Sequence, residues 1–239
     1  MKKLVKKATV NFFDKLGYKI SLKDSHYFEQ FWAGLSPSEI RRLFHYEMFM
    51  KTISISGNIV ECGVAGGETL ALFKNLQKEF NCSRKIWGFD SFEGFSSPNS
   101  KDGSFFSSSY ENYNKKYSKF TLGWVKQNLI DLGAQNSNDN DISLIKGWIP
   151  DSFEYYDGSP VSLLNIDVDI YEPTKAVLEF FWPLLQDNAI VLLDDYGFGK
   201  DPKKAKKWPG AKIAVDEFCK EKNISVSKHY AGRFYIEKI

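Results

Sequence analysis

Apolar positions along the 239-residue chain follow two rhythms. Short runs that are apolar nearly throughout, at 59–62, 86–89, 142–145, 161–166 and 189–193, alternate with stretches whose apolar residues recur every three or four positions. Four to six continuous apolar residues suit strands covered on both faces, as in a parallel sheet. The intervening stretches carry helical stripes: Leu70, Phe73, Leu76 and Phe80; Leu122, Val125, Leu129 and Leu132, stopped by Gly133; and Ala176, Val177, Phe180 and Phe181. Alternation of this kind predicts βαβ units and an open α/β fold. Upstream, Ser36-Pro37-Ser38-Glu39 offers an N-cap, a proline at the first helical position and a capping-box acid, so a helix is predicted to start there and end before Gly57. Downstream, Ile213, Ala214 and Phe218 predict another helix, and 224–226 and 233–236 a closing pair of strands, the last antiparallel. Residues 96–119 are rich in Ser, Asn, Lys and Tyr with little periodicity and are expected to form a mobile lid.

Composition narrows the setting. With 43% hydrophobic and 26% charged residues the chain is globular, and its length suffices for a core without disulfides or a structural metal. Cys62, Cys82 and Cys219 form no metal-binding spacing and fit a reducing, cytoplasmic compartment. The formal charge of +2 is too even for nucleic-acid binding, and no apolar run is long enough to cross a bilayer. Residues 1–20 set Leu4, Val5, Phe12, Phe13 and Leu16 among lysines, a helix that packs on its own domain, on a second copy in a homo-oligomer, or on a membrane surface. The expected division is a helical extension over 1–56 and a main domain over 57–239.

Two constellations carry chemistry. The first strand runs into Glu61-Cys62-Gly63-Val64-Ala65-Gly66-Gly67-Glu68-Thr69, a glycine-rich turn that opens a helix, where backbone amides can approach a ligand. The spacing is not that of a dinucleotide fingerprint, and Glu61 disfavours a pyrophosphate while suiting a cationic group such as a methionine amine. Asp90, 23 residues beyond Gly67 at the second strand's end, stands where doubly wound folds place the acid that binds ribose hydroxyls. Together these indicate an adenosine-containing cofactor. The fourth and fifth strands end in Asp167-Val168-Asp169 and Asp194-Asp195-Tyr196. In a parallel sheet these ends face one side, so the acids converge, and such an all-oxygen set suits a hard cation: Mg²⁺, Mn²⁺ or Ca²⁺.

Taken with Trp87 to Phe95, Gly147-Trp148-Ile149-Pro150-Asp151-Ser152 and Ile170-Tyr171-Glu172-Pro173-Thr174, these segments resemble the macrocin O-methyltransferase family over about residues 57–236. The resemblance implies a Rossmann-like class I methyltransferase sheet of seven strands and an S-adenosylmethionine- and divalent-metal-dependent enzyme that methylates sugar hydroxyls. It implies that Glu61, Gly63 and Thr69, with Gly67 of the same turn, hold the methionine portion. Asp90 would bind the ribose, and Ser91, Phe92, Gly147 and Trp148 would border the adenine. Asp167, Asp194 and Asp195 would hold the metal. Related catechol and caffeoyl-CoA enzymes carry a lysine where this chain has Ile170, and members of the macrocin family often carry a bulky basic residue where it has Ala65. The acceptor and the proton acceptor are therefore not given by the resemblance. Asp167 or Asp169 is the expected catalytic base, with His45 and His229 as outside candidates. Five lysines in 200–207 suggest an anionic acceptor such as a nucleotide-linked sugar. The alternative is a nucleotide-sugar glycosyltransferase using Asp167-Val168-Asp169 as its metal motif, which leaves Glu61, Asp90 and Asp194-Asp195 without roles.

Overall fold

The computed structural model describes residues 34–136, 141–197 and 208–239. The stripe expected over 1–20 and the lysines of 200–207 lie outside the described residues. The chain divides into two compact units, Met1–Ile40 and Arg41–Ile239. In the first, Ser36 and Glu39 form the expected capping box: the Glu39 amide donates to Ser36 Oγ at 3.3 Å, and the Ser36 amide donates to Glu39 Oε2 at 2.6 Å. Helix α1, Pro37–Lys51, starts there.

The second unit is built on a seven-stranded sheet of order β3-β2-β1-β4-β5-β7-β6. Its strands are β1 (Asn58–Cys62), β2 (Ile86–Asp90), β3 (Ile142–Lys146), β4 (Val161–Ile166), β5 (Leu185–Leu193), β6 (Ser227–Lys228) and β7 (Phe234–Glu237). The first five pair in parallel, while β7 runs antiparallel to β5 and β6 antiparallel to β7. Helices α2 (Glu68–Glu79), α4 (Leu122–Asp131), α5 (Tyr171–Phe181) and α6 (Pro209–Lys222) fill the connections, with α3 (Gly103–Tyr117) inserted after β2. Because side chains alternate along a strand, each central strand feeds two cores. Val60, Leu164 and Val191 pack on one face with Val177, Phe181 and Phe218 of α5 and α6; Ile59, Leu163 and Leu192 pack on the other with Phe44, Phe49 and Phe73 of α1 and α2. No helix among the described residues is long and apolar enough to cross a membrane.

Two expectations are corrected. Residues 96–119, expected as a lid with little periodicity, hold regular structure: a 3₁₀ turn at Ser100–Asp102 leads into α3. Asn99 and Asp102 cap that turn reciprocally, and Phe106, Tyr110 and Tyr113 supply an apolar stripe against Phe95, Ile170 and Trp208. Packing of this stripe overrides the poor helix propensity of Ser and Asn. Asp102 then pins the segment to the domain, since its Oδ1 accepts the Tyr171 amide at the start of α5 at 2.7 Å. The tail strand expected at 224–226 forms instead at Ser227–Lys228, where pairing with β7 fixes the register.

Candidate active site

β1 lies between β2 and β4, so successive connections leave it in opposite directions and a crevice opens beyond the strand ends. Ligands of open α/β sheets bind at such a switch point. Here it holds a cavity of about 410 Å³, lined on one side by Gly63, Gly66 and Asp90 and on the other by Asp167, Asp169, Asp194 and Asp195. The structure thus brings the two predicted constellations into one space.

Gly63 is where they meet. Its φ of +88° suits glycine, and a Cβ there would lie 1.9 Å from the Asp167 carbonyl oxygen, so the turn after β1 can pass the β4 loop only without a side chain. Asp90 holds the same turn from the other side. Its Oδ2 accepts the amides of Val64 at 2.8 Å and Ala65 at 3.0 Å, and its Oδ1 accepts the amide of Phe92 at 2.8 Å. The Ser91 hydroxyl also lies 3.5 Å from Oδ1, so both oxygens of this cavity-lining carboxylate are anchored by the turns around it. Burial raises the Asp90 carboxyl above its usual value, and these amides pull it back. Ser91 and Trp148 also line the cavity, whereas Gly67, Thr69, Phe92 and Gly147 stand behind its wall.

Glu61 also lies behind the wall, 1% exposed, on the α1–α2 face of the sheet. Its Oε1 accepts from the Asn165 side chain, its partner across β4, at 2.8 Å. Burial pushes its carboxyl up to about 8 against the pull of Asn165 and Arg41, so it is largely protonated at neutral pH.

Asp167, Asp194 and Asp195 each offer a carboxylate oxygen within 4.8 Å of the others. Asp169 stands beside them in a left-handed conformation with φ +64°, its amide donating to Asp195 Oδ2 at 3.0 Å. A non-glycine residue held there is strained, a feature that concentrates at functional sites. Two arginines approach the cluster. Arg41 of α1 pairs with Asp167 Oδ2 at 3.3 Å and Asp194 Oδ2 at 3.4 Å, and donates to Thr69 Oγ1 at 3.1 Å. Arg233, just before β7, pairs with Asp194 Oδ1 at 3.1 Å. The titrations follow. Burial and then Asp194 raise Asp167 well above the usual carboxylate range; burial and then Asp169 do the same to Asp195. Burial also opposes ionisation of Asp194, yet Arg41 and Arg233 hold it below its usual value.

This donor set fits a hard divalent cation. Four ionised aspartates against two guanidinium groups leave two negative charges uncompensated, and without a cation only protons relieve them. The three converging oxygens provide hard ligands of the type Mg²⁺ or Mn²⁺ takes, with room in the cavity for water or substrate oxygens to complete the shell.

Sequence reasoning missed Arg41. The signal was present, because Arg41, Phe44, His45 and Met48 share one helical face, and an arginine on an otherwise apolar face must meet an acid. It also missed Tyr117, at the end of α3, which lines the same cavity and whose phenol is raised beyond its usual range by burial and by Asp169, Asp167 and Asp195. Neither expected histidine lines the cavity. His45 is buried, its imidazole pushed down to about 3 by burial and Arg41, and His229 pairs with Glu47 at 2.9 Å.

Comparison with known proteins identifies the family and the fold. The profile of the macrocin-O-methyltransferase (TylF) family matches residues 38–227. A curated relative from Streptomyces olivaceus, 8-demethyl-8-(2,3-dimethoxy-alpha-L-rhamnosyl)-tetracenomycin-C 4'-O-methyltransferase, is 24% identical over 161 residues, 66% of this chain and 60% of that protein. Demethyldecarbamoylnovobiocin O-methyltransferase of Streptomyces niveus is 23% identical over 168 residues, 69% of this chain and 59% of that protein. The aligned region thus spans about three fifths of these relatives. The solved structure of the O-methyltransferase NovP superposes with a TM-score of 0.70 at 19% identity, covering 83% of this chain and 79% of that one, so the fold is that of a class I Rossmann-like O-methyltransferase. The family matched is one of O-methyltransferases, in place of the glycosyltransferase alternative. From its glycine turn to its paired aspartates, this chain belongs to the macrocin-O-methyltransferase family.

Proposed function

We propose that the protein is an S-adenosylmethionine-dependent, divalent-metal-dependent O-methyltransferase whose acceptor is a sugar hydroxyl, free, nucleotide-linked or carried on a natural product. The observation that carries this reading is one cavity walled by the Gly63–Gly66 turn and Asp90 on one side and by Asp167, Asp194 and Asp195 on the other. Methyl transfer from a sulfonium is an in-line displacement, so the chain's principal task is to fix an acceptor oxygen about 3 Å from the methyl carbon. On this reading Gly63, Gly66 and Asp90 seat the adenosyl ligand, with Ser91 and Trp148 at the adenine edge and Gly67, Thr69, Phe92 and Gly147 shaping the wall behind. Asp167, Asp194 and Asp195 hold a divalent ion, which when bound orients an acceptor diol and lowers its pKa. Asp169 faces the same space and takes the acceptor proton. The acceptor class is supported by the curated relatives, one of which is named for methylation of a rhamnosyl compound.

The test is mass spectrometry of candidate nucleotide sugars and glycosylated natural products after incubation with S-adenosylmethionine and Mg²⁺. A gain of one methyl group, abolished by EDTA and restored by Mg²⁺, is expected. Methylation undiminished by exhaustive chelation would remove the metal from the reading.

A further inference from the structure

Arg41 lines the cavity, and the proposed function leaves it unused. Its guanidinium sits among the oxygens that would ligate the cation. One nitrogen faces Asp194 Oδ2 at 3.4 Å; the other faces Asp167 Oδ2 at 3.3 Å and Thr69 Oγ1 at 3.1 Å. The side chain is held there. Phe44, Met48 and Phe49 bury the inner face of α1 in the core, and Thr69 fixes the fork from α2. Asp194 is the most heavily compensated acid, with Arg41 on one oxygen and Arg233 on the other, while Asp195, which among the described residues pairs with no arginine, accepts the Asp169 amide. The two arginines differ in what they contact. Of the three acids the Arg233 guanidinium contacts Asp194, through its carboxylate and its carbonyl oxygen, whereas Arg41 spans Asp167 and Asp194, two of the three converging ligands.

We infer that Arg41 is a resident counter-ion of the carboxylate triad, one that competes with the divalent cation for Asp167 and Asp194. This rests on the metal-dependent reading above. Two consequences of opposite sign follow from elementary electrostatics. A fixed positive charge beside the ligand oxygens repels an incoming cation and weakens its binding. The same charge offsets repulsion among the buried acids, so it stabilises the metal-free fold. Arg41 is therefore a positioning residue: it keeps the acids folded and aimed while the site is vacant, and it holds cation affinity low enough that the ion exchanges. A purely structural arginine would move stability alone, and a substrate-binding arginine would move neither quantity in the absence of substrate.

Mn²⁺ binding, followed by the electron paramagnetic resonance signal of the free ion, and thermal melting in EDTA separate these outcomes for the wild type, Arg41→Met and Arg41→Gln, all without S-adenosylmethionine or acceptor. The glutamine variant retains a donor for Thr69 and guards against misfolding of the methionine one. Both variants are expected to bind Mn²⁺ at least tenfold more tightly than the wild type, to melt several degrees lower in EDTA, and to recover that deficit at saturating Mn²⁺. Arg41→Lys, which keeps the charge, is expected to bind Mn²⁺ within a few fold of wild type. If the wild type binds Mn²⁺ and the neutral variants bind it equally or more weakly, the counter-ion role is overturned while the metal reading stands. If neither wild type nor variants bind Mn²⁺, both fall.

Discussion

Replacing Asp169 by Asn is expected to lower kcat by about 10³-fold, the scale of a lost general base, while S-adenosylmethionine affinity stays within a few fold of wild type. The expectation rests on position. Asp169 lines the cavity beside the triad but does not supply one of the three converging oxygens, and its left-handed backbone is held by the hydrogen bond its amide donates to the Asp195 carboxylate. Asparagine can adopt the same backbone conformation and fill the same space, so a loss reports the carboxylate rather than the loop. Mn²⁺ affinity of the variant should remain measurable, since Asp167, Asp194 and Asp195 are untouched. Turnover near wild type would eliminate Asp169 as proton acceptor and return the role to Asp167.

The second large effect is structural. Gly63→Ala places a methyl group 1.9 Å from the Asp167 carbonyl oxygen at a backbone φ of +88°, so overpacking and left-handed strain act together. A loss of about 3 kcal/mol or more is expected, a large share of the roughly 5–15 kcal/mol that holds an ordinary domain. Urea denaturation measures it directly. Relief would require the β1 turn and the β4 loop to part, which separates the walls of the cavity, so any folded fraction should also bind S-adenosylhomocysteine poorly. A midpoint equal to wild type with intact binding would mean that the turn and loop do not cross this closely in solution.

The rhythm of apolar residues made most of the sheet legible because parallel strands buried on both faces leave little else to read. Ile59, Leu163 and Leu192 face one core and Val60, Leu164 and Val191 the other, so polar positions within the runs are few, and two of them, Asn165 and Glu61, pair with each other. Helix α3 stayed hidden because its stripe of aromatic residues is diluted by Ser and Asn, and its partner Trp208 is distant in sequence. The closing hairpin was displaced because β6 is two residues long and its register is set by β7 rather than by a pattern of its own.

The site divides in the same way. Strand-end acids announce themselves in sequence, since a carboxylate after an apolar run must end at the sheet's edge, and Asp90, Asp167, Asp194 and Asp195 all do so. Burial depth does not announce itself: Glu61 has the same local signature yet sits behind the wall beside Asn165. Cross-chain compensation is still less legible. Arg41 and Arg233 come from the two ends of the described chain to meet Asp194, and only the folded arrangement brings them there.

The most direct measurement is a crystal structure of the protein with S-adenosylhomocysteine and Mn²⁺, with anomalous scattering recorded at the manganese edge. One anomalous peak bounded by Asp167, Asp194 and Asp195, with the nucleoside against Asp90 and the Gly63–Gly66 turn, is the expected result. A cavity that takes the nucleoside elsewhere, or a protein saturated with Mn²⁺ whose aspartates hold no anomalous scatterer, would contradict it.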